Sequence, residues 1–260
     1  MLKDKAVIVT GSTSGIGKGI LQAFAAEGCK LVMNGLEPVA KVEELRASLA
    51  ESYGVEVLYH GADMSQPEQI SSLIEQTKKA FGSIDIIVNN AGIQHVAPVD
   101  EFPIDKWDAI LAVNLSSAFH MTRLAVPHMK AAGWGRIINL ASAHALVASP
   151  FKSAYVAAKH GMAGLTKVVA LELAQENITC NAICPGYVKT PLVENQIADT
   201  AKARAISEEE VVNEVMLKAQ PTKKFTQVED LGAMAVFLCS EAAANMTGTM
   251  LSVDGGWVAQ

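Results

Sequence analysis

The sequence predicts a single α/β domain over residues 1–260, built on a doubly wound parallel β-sheet of about seven strands with helices on both faces. Short β-branched runs alternate with longer amphipathic or alanine-rich segments along most of the chain. The short runs are continuously apolar, which is typical of parallel strands covered on both faces. Half of the 260 residues are hydrophobic, so the chain can bury one large core. Right-handed crossovers between such strands give the doubly wound arrangement.

Seven segments have the composition of strands, and six longer segments have the composition of helices. The predicted strands are Ala6–Thr10, Leu31–Asn34, Val55–Tyr59, Ile84–Asn89, Arg136–Leu140, Thr179–Cys184 and Met250–Val253. The predicted helices lie near residues 15–28, 38–53, 67–81, 103–130, 152–176 and 227–240. In such a fold the ligands bind at the carboxyl ends of the strands, so residues that follow strands are the first candidates for a site.

The alternation lapses over residues 188–225, where the segment "KTPLVENQIADTAKARAISEEEVVNEV" is polar and has a helical pattern. An insertion after a late strand lies at the ligand-binding edge of this kind of sheet. We therefore expect a helical lid over the site, inserted into the single domain.

Charge and apolar patterning narrow the class of protein. The net charge of −6 and the pI near 5.5 give no electrostatic reason to expect a nucleic-acid partner. The sequence contains no run of 18 apolar residues, so we expect no membrane span. The N-terminus lacks the pattern of a secretory signal. The sequence therefore predicts a cytoplasmic protein.

The four cysteines are expected to be buried free thiols in a reducing compartment. Cys180 and Cys184 lie in an apolar run without a histidine cluster nearby, so no metal site is expected. Metal ligation and disulfide formation are the weaker alternatives.

A glycine-rich turn, "TGSTSGIG" at residues 10–17, joins the first strand to the first helix. Glycines allow a tight turn and a close approach of the backbone to a pyrophosphate, which then lies at the positive N-terminus of the helix. The position of the turn in an alternating α/β chain predicts a dinucleotide site. The expected contacts are Gly11, Ser12, Thr13, Gly15, Ile16 and Gly17.

The end of the second strand, Asn34-Gly35-Leu36, bears on the choice of dinucleotide. The acidic residue that usually holds the adenosine ribose is missing there, which weakens a simple prediction of NAD. NADP requires positive charge for its 2′-phosphate, and no arginine or lysine lies within 11–17 or 33–37. NAD is therefore favoured, with Gly35 and Leu36 at the adenosine. Asp63 and Met64 are placed at the adenine edge, although Asp63 could equally be a solvated turn residue.

The predicted fourth strand runs into Asn89-Asn90-Ala91-Gly92. Side-chain amides can bridge neighbouring strand ends, and small residues leave room for a cofactor. Asn90, Ala91 and Gly92 are therefore candidate cofactor contacts. Asparagines in a turn would by themselves indicate only turn chemistry.

Taken together, these motifs resemble the short-chain dehydrogenase/reductase family. The matching pieces occur in the family's order and span nearly the whole chain: "TGSTSGIG" (10–17), "NNAG" (89–92), Asn114 in "AVNLSS", Ser142 in "NLASA", Tyr155 and Lys159 in "YVAAK", and "PG" (185–186). The resemblance implies an oxidoreductase with a nicotinamide cofactor. It implies Asn114, Ser142, Tyr155 and Lys159 as the catalytic set, with Asn114 holding a water that relays protons to Lys159.

The spacing of Tyr155 and Lys159 suits that chemistry, because residues four apart lie one helical turn apart on the same face. A tyrosine that accepts the substrate's proton needs its pKa lowered from ~10 to about 7, which is ~4 kcal/mol. One cation ~4 Å away at an effective dielectric of about 20 supplies roughly that energy. From spacing alone, a tyrosine whose hydroxyl reaches water from an amphipathic helix remains the alternative.

Within the family, the chain is similar to bacterial enzymes that interconvert 3-hydroxybutyrate and acetoacetate with NAD, usually as homotetramers. This similarity rests on the segments "NNAGIQH" (89–95), "WGRIINLASAH" (134–144), "SAYVAAKHG" (153–161), "NAICPG" (181–186) and "TPLVENQI" (190–197). The implied further cofactor contacts are Tyr155, Lys159, Pro185, Gly186, Val188 and Thr190. The implied contacts to a small hydroxy or keto acid are Gln94, Ser142, His144, Lys152, Tyr155, Tyr187 and Gln196.

Two departures from the resembling enzymes and two alternatives stay open at this point. Ala145 replaces a common glycine after His144, which is a small steric change. Tyr187 follows "PG" where the resembling enzymes typically carry tryptophan, which leaves the preferred chain length of the substrate in doubt. A 3-oxoacyl-carrier-protein reductase would have the same fold but predicts NADPH and a basic patch for an acidic carrier. A nicotinamide-sensing protein that has lost catalysis predicts a broken Asn–Ser–Tyr–Lys set.

Overall fold

A computed structural model describes residues 2–190, 193–194, 197–198, 201–202 and 205–259. Its centre is one parallel sheet of seven strands in the order β3-β2-β1-β4-β5-β6-β7. The strands are β1 (Ala6–Val9), β2 (Lys30–Asn34), β3 (Val57–His60), β4 (Ile86–Asn89), β5 (Gly135–Leu140), β6 (Ile178–Pro185) and β7 (Met250–Val253). The predicted fold class is confirmed, and the strand boundaries differ from the prediction by at most two residues.

Helices cover both faces of the sheet, as the continuously apolar strands predict. They are α1 (Gly15–Ala26), α2 (Val39–Tyr53), α3 (Pro67–Phe81), α4 (Ile104–Leu111), α5 (Ser117–Ala132), α6 (Ser153–Glu172) and α7 (Val228–Leu238). A π-helical turn, Ala112–Ser116, joins α4 to α5 without a break, so the predicted helix near 103–130 is present as one long stretch.

Two apolar layers hold the helices to the sheet. On one face, Phe24 of α1 and Leu231 of α7 are fully buried against strand residues such as Val7. On the other face, Leu73 of α3 and Met121 of α5 are equally buried. Burying one such side chain contributes about 2–3 kcal/mol, so these layers are the main source of the fold's stability.

The long stretch Ile104–Ala132 is, among the described residues, the helix that by length and composition could cross a membrane, with 29 residues and a mean hydropathy of 1.3 over an 18-residue window. Its inner side chains, including Met121, Ala125 and Met129, are fully buried in the core against the sheet. Packing within the domain therefore accounts for these apolar residues.

All four cysteines are free and buried, as the sequence predicts. Burial raises the pKa of the Cys184 thiol to about 11 and that of the Cys180 thiol to about 12. Such thiols are protonated at neutral pH and behave as small apolar side chains.

The inserted segment is tied to the sheet at both of its ends. Val188 and Thr226 form a parallel bridge, with hydrogen bonds from Thr226 N to Tyr187 O (3.0 Å) and from Lys189 N to Thr226 O (2.9 Å). Between them lie the helical turns Glu208–Glu210, Val211–Met216 and Leu217–Ala219. Ser207 and Glu210 form a capping box that starts the first of these turns.

Candidate active site

The strand order reverses between β1 and β4, and ligands of open α/β sheets bind at this point. Gly11, directly after β1, has φ +60°, a conformation that residues with a Cβ avoid. At Gly17, in the first turn of α1, a Cβ would overlap the side chain of Asn90 and the carbonyl oxygen of Gly11. The turn is therefore shaped around glycines and leaves the N-terminus of α1 open to an anion.

The side chain of Asn90 holds the ends of β1 and β4 together. Its Nδ2 donates to the carbonyl oxygens of Thr10 (2.8 Å) and Gly11 (2.9 Å). The Thr10 hydroxyl in turn accepts hydrogen bonds from the backbone N–H groups of Asn90 and Ala91, both at 3.0 Å. These hydrogen bonds fix the shape of the turn, which reduces the entropic cost of binding a ligand there.

Asn34 performs the same function at the end of β2. Its side chain accepts from Gly11 N (3.0 Å) and donates to the carbonyl oxygens of His60 (3.0 Å) and Ala62 (2.9 Å). Ser12 is fully buried beside it, and its hydroxyl accepts from Asn34 N at 3.1 Å. Ser12 was expected to contact the cofactor, but its side chain points into this network and does not line the cleft.

An acidic side chain does lie at the end of β2, contrary to the expectation from Asn34-Gly35-Leu36. Glu37 accepts a hydrogen bond from the hydroxyl of Thr13 in the glycine turn, and both residues line the cleft. A Cβ on Gly35 would overlap the Thr13 and Glu37 side chains, so only glycine leaves room for this contact. Glu37 stands three residues beyond the strand end, where the acidic residue was expected, and the turn after β2 brings its side chain back to Thr13.

Asn114 is fully buried in the π-helical turn. Its Oδ1 accepts from Ile93 N (2.8 Å), and its Nδ2 donates to Ile93 O (2.9 Å). The side-chain amide therefore pairs with the loop that carries Gln94 and does not itself line the cleft. π-Helical turns are frequent at functional sites because they displace one residue from the regular pattern. The water-holding role of Asn114 stays a prediction.

Ser142, Tyr155 and Lys159 meet at the carboxyl end of β5. Ser142 follows that strand, Tyr155 lies in the first turn of α6, and both residues line the cleft. Lys159, one turn further on, is buried, and its ammonium donates to the carbonyl oxygen of Leu140 at 2.6 Å. Its Nζ lies 5.6 Å from the centroid of the Tyr155 ring. The predicted trio is thus brought together on one wall of the cleft.

The pKa values in this trio bear on its expected acid–base role. Burial lowers the pKa of Lys159 to about 8. Burial also raises the pKa of Tyr155, and the neighbouring Ser142 side chain only partly opposes that rise. The expectation that Lys159, with the positive charge of the nicotinamide adding to it, brings the phenol pKa near neutrality stays a prediction, and desolvation of the phenol works against it.

Four aromatic rings in contact with one another line the cleft near the trio. The rings of Tyr187 and Trp257 are stacked, with centroids 6.0 Å apart and planes 3° apart. Trp257 meets the ring of His144 edge-to-face at 5.0 Å, and His144 meets Tyr155 in the same way at 5.9 Å. From the sequence, Trp257 was expected to pack in the core, with the pocket or a subunit contact as alternatives; the structure places it in the cleft, beside the predicted substrate residues.

A cleft of about 1310 Å³ connects the glycine turn with the trio. It is lined by these predicted cofactor residues: Gly11, Thr13, Gly15, Ile16, Gly17, Gly35, Leu36, Asp63, Met64, Asn90, Ala91, Gly92, Tyr155, Lys159, Pro185, Gly186, Val188 and Thr190. It is also lined by these predicted substrate residues: Gln94, Ser142, His144, Lys152, Tyr155 and Tyr187. Gln196 lies outside the described residues.

A doubly wound sheet, a glycine turn at its switch point and a serine–tyrosine–lysine trio define a nicotinamide-dependent oxidoreductase. The family model described as enoyl-(acyl carrier protein) reductase matches residues 11–258. The chain belongs to the short-chain dehydrogenase/reductase family.

Curated relatives match over their full length. The chain is 54% identical to D-beta-hydroxybutyrate dehydrogenase of Rhizobium meliloti, over 98% of this chain and 99% of that protein. It is 53% identical to the enzyme of the same name from Cupriavidus necator, over all of both chains. Among solved structures, L-sorbose reductase of Gluconobacter frateurii, complexed with NADPH and L-sorbose, matches with a TM-score of 0.94. That match has 32% identity and covers 100% of this chain and 98% of that one.

Proposed function

We propose that the chain is an NAD-dependent dehydrogenase that interconverts 3-hydroxybutyrate and acetoacetate. The observation that carries the proposal is a single cleft lined by the glycine turn, by Ser142 and Tyr155, and by the cation Lys152. The two relatives named D-beta-hydroxybutyrate dehydrogenase support the same substrate. The site would thus join a dinucleotide, a proton acceptor and an anion-binding group.

In this proposal the residues of the trio have separate tasks. The nicotinamide accepts or returns the hydride and, when oxidised, adds a positive charge to the site. Tyr155 takes the proton of the substrate hydroxyl, and Ser142 donates a hydrogen bond to the same oxygen as charge develops on it. Lys159, buried and held by the Leu140 carbonyl, stabilises the deprotonated phenol. Asn114 keeps the neighbouring loop in place through Ile93.

The carboxylate of the substrate would bind at the Lys152 end of the cleft. Lys152 is the N-cap residue of α6 and is half-buried, so its charge is less screened than that of a surface lysine. Gln94 lines the same cleft and offers an amide donor, and we propose Gln196 as a further donor. Burial lowers the pKa of His144 to about 4, so this imidazole adds no positive charge at neutral pH.

Lys152→Ala should raise the KM for 3-hydroxybutyrate by about tenfold to a hundredfold while the KM for NAD changes little. The reason is the loss of one charge-assisted hydrogen bond to the substrate carboxylate, worth about 1.5–3 kcal/mol. Steady-state kinetics with each substrate varied in turn measures both constants. Lys167→Ala, which removes an exposed lysine from the same helix, is the matched control and should leave both unchanged. An equal rise in both KM values for Lys152→Ala would remove this residue from the anion site.

The preference for NAD is supported by the charges that face the cleft. Among the described residues that line it, the cations are Lys152 and Lys159, both at the catalytic end. Glu37 supplies a carboxylate at the end of β2, where the adenosine ribose of a dinucleotide lies in this fold. A 2′-phosphate would meet that carboxylate without a balancing cation, whereas a ribose hydroxyl could donate to it.

Glu37→Gln should lower the ratio of kcat/KM for NAD to kcat/KM for NADP by about tenfold. Removing the carboxylate removes a repulsion of roughly 2 kcal/mol between charges ~8 Å apart at an effective dielectric of about 20. The measurement is the kinetics of the variant with both dinucleotides at several salt concentrations. Glu44→Gln, on the exposed face of α2, is the control for net charge alone. An unchanged ratio would show that Glu37 does not select the dinucleotide.

The remaining features of the proposal follow from the family and from composition. We propose a cytoplasmic homotetramer without a nucleic-acid or membrane partner. A panel of 3-hydroxybutyrate, 3-hydroxyvalerate and lactate, each with NAD and NADP, tests the activity. We expect the highest kcat/KM with 3-hydroxybutyrate or 3-hydroxyvalerate and NAD, the balance between the two being set by Tyr187. Turnover of lactate alone, or of none of the three, would contradict the proposal.

A further inference from the structure

A buried glutamine joins the inserted segment to the residues that line the cleft. Gln220 has no exposed surface, although it lies in the segment between β6 and α7. Its Oε1 accepts a hydrogen bond from Tyr187 N, and its Nε2 donates to the carbonyl oxygen of Lys224 at 2.8 Å. Both ends of the side-chain amide are therefore bound to backbone groups. Gln220 does not itself line the cleft and has no part in the function proposed above.

The main chain around Gln220 has the shape that admits this side chain. A Cβ on Gly186 would overlap Gln220 Oε1, and a Cβ on Gly255 would lie 3.3 Å from Gln220 Nε2. Gly255 also has φ +61°, a conformation that residues with a Cβ avoid. The amide thus fits closely between the turn after β6 and the turn after β7. In so densely packed a place, a change in the amide displaces the turns beside it.

The two turns beside Gln220 precede the stacked rings of the cleft. Tyr187 belongs to the first turn, and its backbone N–H is the group bound by Gln220 Oε1. Trp257 follows the second turn, where the buried Asp254 accepts from Val258 N at 3.0 Å and fixes the short helical turn Trp257–Ala259. The rings are parallel to within 3°, with centroids 6.0 Å apart, and this geometry requires both turns to keep their places.

We propose that Gln220 is a positioning residue that sets the separation of Tyr187 and Trp257 and thereby the length of the hydroxy acid that the cleft accepts. The inference rests on the proposed function, because the substrate is taken to be a short hydroxy acid. Both rings line the cleft, so their separation limits the space for the alkyl end of the substrate. One methylene more or less in an apolar pocket changes kcat/KM by about tenfold to two-hundredfold.

Asn181 offers the comparison for a buried amide that only stabilises the fold. Its Oδ1 accepts from Thr249 N at 3.2 Å, and its Nδ2 donates to the carbonyl oxygen of Met246 at 2.7 Å. Asn181 is also buried, but neither it nor its two partners line the cleft. Gln220→Met and Asn181→Leu each replace the amide by an apolar side chain of similar size and leave two backbone groups without partners.

Steady-state kinetics with 3-hydroxybutyrate and 3-hydroxyvalerate tests the proposal. Gln220→Met should raise the ratio of kcat/KM for 3-hydroxyvalerate to kcat/KM for 3-hydroxybutyrate by about fivefold to tenfold, because the released turn makes room for another methylene. Asn181→Leu should leave this ratio within about twofold. Both variants should lower Tm by about 4–8 °C, which checks that the two substitutions disturb the fold to a similar extent.

Gln220→Glu separates the two hydrogen bonds of the amide. The carboxyl group keeps an oxygen that accepts from Tyr187 N, and it lacks the amide N–H that donates to the Lys224 carbonyl. We expect this variant to keep the substrate ratio of the unsubstituted protein within about twofold. A ratio that rises as in Gln220→Met would contradict the assignment of Tyr187 N as the contact that positions the ring.

The stack can also be observed without turnover. Protein labelled with 5-fluorotryptophan gives one ¹⁹F signal for each of its three tryptophans, and the Trp257 signal is assigned by its loss in Trp257→Phe. The ring current of Tyr187 shifts this signal, so Tyr187→Leu shows its position without the stack. Gln220→Met should move the Trp257 signal toward that position, and Asn181→Leu should leave it unchanged.

Two further results would overturn the proposal. One is an equal loss of kcat/KM for both hydroxy acids in Gln220→Met, which is the effect of a residue that serves stability alone. The other is a Trp257 signal that does not move in this variant. A protein that oxidises neither acid contradicts the proposed function instead, and the ¹⁹F shift then decides whether Gln220 positions the two rings.

Discussion

Replacing Tyr155 by phenylalanine is expected to lower kcat by about a thousandfold while binding of NAD remains. In the proposed function the phenol takes the substrate's proton, and a positioned acid–base group contributes about 10²–10⁴ in rate. Phenylalanine keeps the ring and its edge-to-face contact with His144, so the shape of the cleft is preserved. The substitution removes the hydroxyl alone.

The measurement is steady-state turnover, together with titration of NAD followed by quenching of tryptophan fluorescence. Tyr53→Phe is the matched control, because Tyr53 lies at the exposed end of α2 and should not affect either quantity. Undiminished turnover in Tyr155→Phe would refute its role as acid and base. A parallel loss of NAD binding would instead place the hydroxyl in cofactor recognition.

The second large effect is expected from Gly17→Ala, which should weaken NAD binding by about a hundredfold or more. The added Cβ would overlap Asn90 Nδ2 and the carbonyl oxygen of Gly11. Asn90 holds the ends of β1 and β4 together, so the overlap displaces the turn that we propose as the pyrophosphate site. Overpacking of this kind also costs about 1–3 kcal/mol in the free energy of unfolding.

Gly164→Ala is the comparison that isolates this effect. Gly164 also lies within a helix, but nothing stands within 4 Å of the Cβ that alanine would add. This substitution should raise the free energy of unfolding by up to about 1 kcal/mol, because alanine loses less backbone entropy in a helix. NAD titration and thermal unfolding of both variants test the pair. Similar behaviour of the two variants would show that the space at Gly17 is not the cause.

The sequence predicted the architecture well for a physical reason. Each strand is a continuous apolar run, and each helix has its own periodic pattern, so local signals and the global fold agree. The glycine turn was predicted from its place between the first strand and the first helix, at the edge of the sheet where ligands bind. The catalytic roles of Ser142, Tyr155 and Lys159 and the substrate contacts were predicted from the family resemblance, and the spacing of Tyr155 and Lys159 along one helix agreed with it.

What could not be predicted depends on distances between elements. Glu37 reaches Thr13 only because the chain folds back after β2, and no local pattern indicates this contact. The pKa of Tyr155 depends on how completely the surrounding elements exclude water, which spacing along α6 does not reveal. The Gln220 contact with Tyr187 likewise joins two segments that no local pattern connects.

The bridge between Val188 and Thr226 brings the two ends of the inserted segment together. The glycine turn and the Ser142–Tyr155–Lys159 trio lie on elements outside that segment. A surface segment that enters and leaves the fold at one point tolerates changes in length and sequence with little effect on the elements around it. We therefore expect substitutions within this segment to change the choice of substrate more than the chemistry of the trio.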